Sequence, residues 1–277
     1  MKGQAMYKVS YDGSNQKVLW QEMWRHEFLE ALRHDPVVIV PTGSVEQHGP
    51  HCPVDVDISG PFYMAVRAAQ AVTDFPVIVA PPVWSGFTHY NMGFPGTINL
   101  RIETYLNLVA DVCRSIHANG FKRIVVINGH GGNDAPNRVV MNQISEENIF
   151  IVAFSWWSAV REEMVRLGEA DGGGVGHGGE WETSVQLHLR PHLIDRSRMV
   201  VDTHPNPFSP ELRHFAGFSE RRRDSSKVTG THGDPFAASA EKGEKIVHAV
   251  VQKLVQMVRE YHAQPVRDYR AFGTHCP

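Results

Sequence analysis

Histidines and carboxylates gather in three glycine-rich stretches of this 277-residue chain. The first runs from Thr42 through Glu46, Gln47, His48, Gly49, Pro50 and His51 to Asp55 and Asp57. Glu46 and His48 stand two positions apart, so an extended backbone turns both to one face. A carboxylate oxygen and an imidazole nitrogen are ordinary ligands of zinc, manganese or iron, and Asp57 can supply a third donor from the end of the loop. The second stretch, Asn128-Gly129-His130-Gly131-Gly132-Asn133, offers His130 among glycines that let backbone approach a ligand closely. It lacks the lysine and Ser/Thr pair of a phosphate-binding loop, which ranks a metal above a nucleotide. The third stretch, Gly176 to Ser184, carries His177 as a candidate general acid or base, and Glu180 or Glu182 as a carboxylate that could reach the metal. Taken singly, each residue also fits a polar turn or, for the two glutamates, a favourable charge at a helix N-terminus. Their concentration favours a site.

These loops need a frame to bring them together. Val37 to Val40, Val77 to Ala80, Ile124 to Ile127 and Ile149 to Phe154 are short apolar runs rich in β-branched residues, the pattern of buried parallel strands. Helical periodicity is expected over Trp20–Leu32, Gly60–Val72, Arg101–Asn119, Asp134–Ile144, Ser158–Leu167, Glu180–Leu189 and Ala237–Tyr261. The alternation predicts an α/β three-layer sandwich, a mainly parallel sheet between helices, with active-site loops at the carboxyl ends of the strands. The first two stretches follow predicted strands directly, and the third sits where a glycine-rich segment meets a helix. A single domain over 1–277 is expected, with residues 1–18 as an N-terminal extension and 203–235 as a surface loop region.

Composition narrows the function further. Hydrophobic residues make up 42% and charged residues 21%, the balance of a globular protein. A net charge of -3 provides no basic face for nucleic acid or an anionic membrane, and Arg221-Arg222-Arg223 is flanked by Glu220 and Asp224. No apolar run approaches the length of a membrane helix, and no signal peptide is expected from Met1-Lys2-Gly3-Gln4, which no apolar segment follows. Three widely spaced cysteines, Cys52, Cys113 and Cys276, suit a reducing cytoplasm.

The three stretches together resemble the creatininase family, in Glu46 to His51 with Asp57, Asn128 to His130, and His177 to Ser184. Phe94-Pro95-Gly96-Thr97, Ser155-Trp156-Trp157, Gly233-Asp234-Pro235 and Glu241-Lys242-Gly243 extend the likeness over residues 20 to 260. The resemblance implies a homohexamer with two divalent ions per subunit, zinc first and manganese or iron as alternatives. It implies Glu46, His48, Asp57 and His130 as ligands, with Asp57 bridging both ions and Asp55 as the alternative bridge. Creatininase itself has Tyr-Glu after the loop histidine, and that Glu is a ligand. Here the positions are Gly131 and Gly132, so the resemblance passes the missing carboxylate to Glu180, with Glu182 in reserve. Creatininase also carries Trp-Asp and a Glu just before the later histidine, where this chain has Gly173, Gly174 and Gly176, which argues against creatinine as substrate. The expected function is metal-dependent hydrolysis of a C–N bond in a cyclic amide or formamide-type small molecule. His177 and Glu180 would be catalytic, a glycine-rich loop at 172–179 would close over the site, and Trp84, His89, Tyr90, Trp157 and Gly131 would bind substrate. Opening of a lactone or cyclic diketone is the alternative chemistry, and a non-catalytic metal-stabilised binding or assembly protein is the alternative class.

Overall fold

The structure, a computed structural model, describes residues 17–169, 176–202 and 228–266. Arg221 to Arg223, Gly173, Gly174, Cys276, residues 172–175 of the 172–179 loop, residues 1–16 of the extension and 203–227 of the surface region lie outside them.

Four strands, β1 (Val37–Thr42), β2 (Val77–Val79), β3 (Arg123–Asn128) and β4 (Ile151–Ser155), form one sheet in the order β2-β1-β3-β4, every pair parallel. The β-branched residues alternate between two helical layers, as a period-2 strand buried on both faces requires. Val37, Ile39, Val77, Val79, Val125 and Ile127 face one cluster. That cluster is built by α2 (Val56–Ala71), α6 (Glu180–Leu189) and α7 (Ala240–Ala263). Val38, Val40, Ile78, Ile124 and Val126 face the other, under α1 (Arg25–Leu32), α3 (Ile102–Ala118) and α4 (Asp134–Ser145). α5 (Arg161–Leu167) follows a 3-10 turn after β4. The expected three-layer α/β sandwich is present.

Several boundaries differ from the sequence expectation for local reasons. Met23 and Trp24 are extended and split the expected Trp20–Leu32 helix into a 3-10 turn and α1. α2 reaches back to Val56 rather than starting near Gly60, which places Asp57 in its first turn. Val18 and Leu19, at the join of the extension, are buried, and Val79 N–H donates to Val18 O at 2.7 Å.

The register brings Thr42, Asn128 and Ser155 into one row at the carboxyl edge. Asn128 Nδ2 donates to Ser155 Oγ (2.9 Å) and to His130 O (2.7 Å), and its Oδ1 accepts from Thr42 Oγ1 (3.2 Å) and His130 N–H (3.1 Å). This buried amide uses its donors and acceptors to fix the loop that carries His130. Two glycines complete the frame. A Cβ at Gly43 would lie 2.5 Å from Asp57 O and one at Gly129 only 2.0 Å from it, so both loops need glycine for the start of α2 to sit against them.

Candidate metal centre

The first loop delivers Glu46 and His48, α2 delivers Asp57, the loop after β3 delivers His130, and the first turn of α6 with its lead-in delivers His177 and Glu182. All but His177 and Glu182 are almost fully buried. Asp57 lies at the middle: His48 Nε2 is 2.9 Å from its Oδ1, and His130 Nδ1 is 3.0 Å from its Oδ2. His130 Nδ1 is also 3.3 Å from Glu46 Oε1, His177 Nδ1 is 3.4 Å from the same oxygen, and Glu182 Oε2 is 3.7 Å from His48 Nε2. Three groups of metal-type donors result: Glu46, Asp57 and His130; His48, Asp57 and Glu182; and Glu46, His48 and His177, each with its atoms within 4.8 Å of one another. The first two share Asp57.

Each histidine is tied to a backbone carbonyl by one nitrogen and presents the other to the carboxylates. His48 Nδ1 faces Glu46 O at 3.1 Å, His130 Nε2 faces Phe87 O at 3.0 Å, and His177 Nε2 donates to Gln47 O. That is how metal-binding imidazoles are held in one tautomer, with the free nitrogen aimed at the ion. Asp57 Oδ2 is buried and makes no hydrogen bond of good geometry, despite the nearby His130 nitrogen. The donor set therefore fits divalent ions of the zinc or manganese kind.

The electrostatics follow from packing three carboxylates against three imidazoles out of water. Burial alone would lower His48, but Asp57 and then Glu182 hold it up at about 10. His130 likewise sits well above its usual range: burial works against it, and Glu46 outweighs that. Burial raises Asp57, yet His48 and His130 bring it down to about 2. Burial pushes Glu182 up to about 7, against the pull of His48.

The structure brings Glu46, His48, Asp57, His130 and His177 together, and it does not bring Glu180. The Glu180 carboxylate, fully buried, is bound by Lys242 Nζ at 2.6 Å and accepts the Glu169 N–H at 3.1 Å. Glu182, two residues on, reaches His48 and accepts the Gly178 N–H at 2.6 Å. Asp55 is held by Arg190 at 2.7 and 2.9 Å. The substitution at Gly132 has a steric reason: a Cβ there would lie 2.2 Å from Phe87 O and 2.5 Å from His130 Nε2, so this backbone admits no side chain. At Gly131 a Cβ would meet nothing within 4 Å, which leaves space beside His130. The Tyr90 hydroxyl is 3.4 Å from His130 Nε2. His89 is exposed and stacks on Phe87 at 4.8 Å, Trp84 is exposed, and Trp157 packs against the core beside Trp156.

Residue type alone did not point to two further contributors. Thr88 Oγ1 donates to Glu46 Oε2, and Gln47 supplies the carbonyl that holds His177 while its amide binds Asn91 Oδ1 and Gly230 O. His232, in the region expected to be surface loop, pairs with His177 through N–H to O bonds of 2.8 and 2.7 Å.

The buried cluster at the carboxyl edge of the parallel sheet is a candidate metal-binding site. Residues 21–258 match the family model Creatininase: Creatinine amidohydrolase, and the chain belongs to this family. It is 30% identical to the creatinine amidohydrolase of Pseudomonas putida over 86% of this chain and 94% of that one. It is 31% identical to the mycofactocin precursor peptide peptidase of Mycobacterium tuberculosis over 83% and 87%. It is 27% identical to the 3-dehydro-scyllo-inosose hydrolase of Thermotoga maritima over 88% and 83%. Among solved structures it resembles a creatininase named with Mn, at a TM-score of 0.73 and 26% identity, covering 90% of this chain and 100% of that one. A creatininase variant of Zn-Zn type superposes with a TM-score of 0.73 at 27% identity and the same coverage. No helix among the described residues is long and apolar enough to cross a membrane.

Proposed function

We propose that this chain is a two-metal amidohydrolase that cleaves a C–N bond in a small cyclic amide or formamide-type substrate. The observation that carries the reading is the pair of donor triads sharing Asp57. Glu46, Asp57 and His130 would hold one ion, and His48, Asp57 and Glu182 the other, zinc first and manganese or iron as alternatives. Such ions, when bound, supply Lewis acidity and lower the pKa of water from 15.7 toward about 7. The chain's own residues do the rest. Asn128 and the backbone carbonyls of Glu46 and Phe87 keep His130 and His48 in register. Tyr90 and the open space at Gly131 border one side of the site, where the substrate would sit, with His89, Trp84 and Trp157 as outer candidates for contact. His177, whose Nε2 donates to Gln47 O, would take up the attacking water's proton at Nδ1, the nitrogen turned toward Glu46, and hand it on to the leaving nitrogen. A homohexamer in the cytoplasm, without nucleic-acid or membrane partners, completes the reading.

Relatives named as a creatinine amidohydrolase and as a peptidase support C–N chemistry. The relative named 3-dehydro-scyllo-inosose hydrolase, whose named substrate is not an amide, favours a second reading: opening of a lactone or cyclic diketone on the same ligands. Elemental analysis followed by a panel of cyclic amides, formamides, lactones and cyclic diketones tests both. Two ions per chain and turnover of an amide support the first reading, and turnover confined to the lactones or diketones supports the second. A protein that takes up no ion and turns over nothing overturns both in favour of a binding protein.

A further inference from the structure

The Glu241-Lys242-Gly243 motif has no part in the metal cluster, yet it converges on the helix that carries Glu182. Lys242 opens α7. Its ammonium, 11% exposed, donates to Glu180 Oε1 (2.6 Å) and Ala237 O (2.8 Å) and lies 3.1 Å from Glu169 Oε1. Glu180 in turn accepts the Glu169 N–H at 3.1 and 3.2 Å. Gly243 is the next residue of the motif: a Cβ there would lie 2.0 Å from Ser184 O, so only glycine lets α7 lie this close to α6. Ser239 N–H, at the cap of α7, donates to Ser184 Oγ at 3.1 Å.

Glu180 and Glu182 stand two residues apart on α6, about 200° around the helix axis at 3.6 residues per turn. A hold on one therefore sets where the other points. With Glu180 turned to Lys242, Glu182 is turned to His48 and Asp57. The same contacts tie Glu169, eight residues before His177, to α6 and α7. We propose that Lys242, acting through Glu180, is a positioning residue for Glu182, and that Glu180 serves this pair instead of binding an ion. The inference rests on the two-metal reading above.

The test is zinc titration of the full chain against a chromogenic chelator. It compares wild type, Lys242→Met, Lys242→Arg, Glu180→Gln and the double variant Glu180→Gln/Lys242→Met, each checked by circular dichroism. The double variant removes both partners of the Lys242–Glu180 ion pair together, so it decides the matter if Lys242→Met fails to fold. The expected result is one ion held as in wild type and the second weakened by about ten- to a hundredfold in the double variant, the usual cost of losing a residue that orients a ligand. Lys242→Arg should recover most of that loss, which loss of general stability would not predict. A folded double variant with both affinities unchanged overturns the proposal. So does loss of an ion in Glu180→Gln while Lys242→Met retains it, because that pattern makes Glu180 a ligand. A wild type that binds no zinc overturns the two-metal reading itself, and is seen before any variant is compared.

Discussion

Gly129 offers a test of the frame that does not depend on knowing the substrate. In Gly129→Ala the new methyl would sit 2.0 Å from Asp57 O, 2.7 Å from Pro61 Cγ and 2.9 Å from Pro61 Cδ. Ordinary carbon–oxygen contacts are about 3.3 Å or longer, so the backbones must part by more than about 1 Å. No rotamer relieves this, because the contacts are a backbone carbonyl and a proline ring. Overpacking of this kind costs about 1–3 kcal/mol, and the rigidity of both partners favours the upper end. For a chain of this size that is a fall in Tm of roughly 2–4 °C per kcal/mol. Gly131→Ala is the control, since a methyl there meets nothing within 4 Å. It should be neutral, or stabilising by up to about 1 kcal/mol through a less flexible unfolded chain. Thermal and urea unfolding of the two variants beside wild type measure the difference. If Gly129→Ala unfolds within about 0.5 kcal/mol of wild type, the close seating of α2 against β3 is refuted, and with it the account of how Asp57 is placed. The same displacement should also weaken ion binding, since Asp57 moves with the helix.

Three further outcomes are expected. Asp57→Asn should lose both ions rather than one, because both triads share its carboxylate; elemental analysis showing one retained ion would deny the bridge. Metal uptake at pH 8 should release protons, because Asp57 and Glu182 outweigh burial and keep His48 charged up to about 10 in the metal-free cluster. Calorimetry in buffers of different ionisation enthalpy counts them, and a count of zero would contradict this. The sign for folding is the matching one: His48 contributes stability to the metal-free protein below its ordinary 6.5, and that contribution is lost as pH rises through about 10. His177→Ala should lower turnover by about 10²–10⁴-fold with metal content unchanged, and unaltered turnover would remove His177 from proton transfer.

The strands and their order of layers were legible because β-branched runs buried on both faces leave a strong pattern, as in Val37 to Val40. The start of α2 was not: Gly60-Pro61 reads as a helix opening, but here Pro61 lies inside the helix. Lacking an N–H, it cannot bond Asp57 O, the same carbonyl that Gly43 and Gly129 approach. The choice between Glu180 and Glu182 was also closed to sequence reading. Both are acidic, both lie in the first turn, and the residue that separates them, Lys242, is far away in the chain. Thr88 and the Gln47 carbonyl act through position in a loop, which composition does not register.

The all-parallel arrangement has a kinetic consequence. No two neighbouring strands are joined by a hairpin, so every pairing in the sheet waits for a long crossover to close, and such pairings form slowly. The site donors sit beyond those crossovers, on four separate segments from Glu46 to Glu182. A nascent or half-folded chain therefore holds scattered histidines and carboxylates but no assembled cluster, and under the two-metal proposal specific loading would come only after the sheet and α6 have docked.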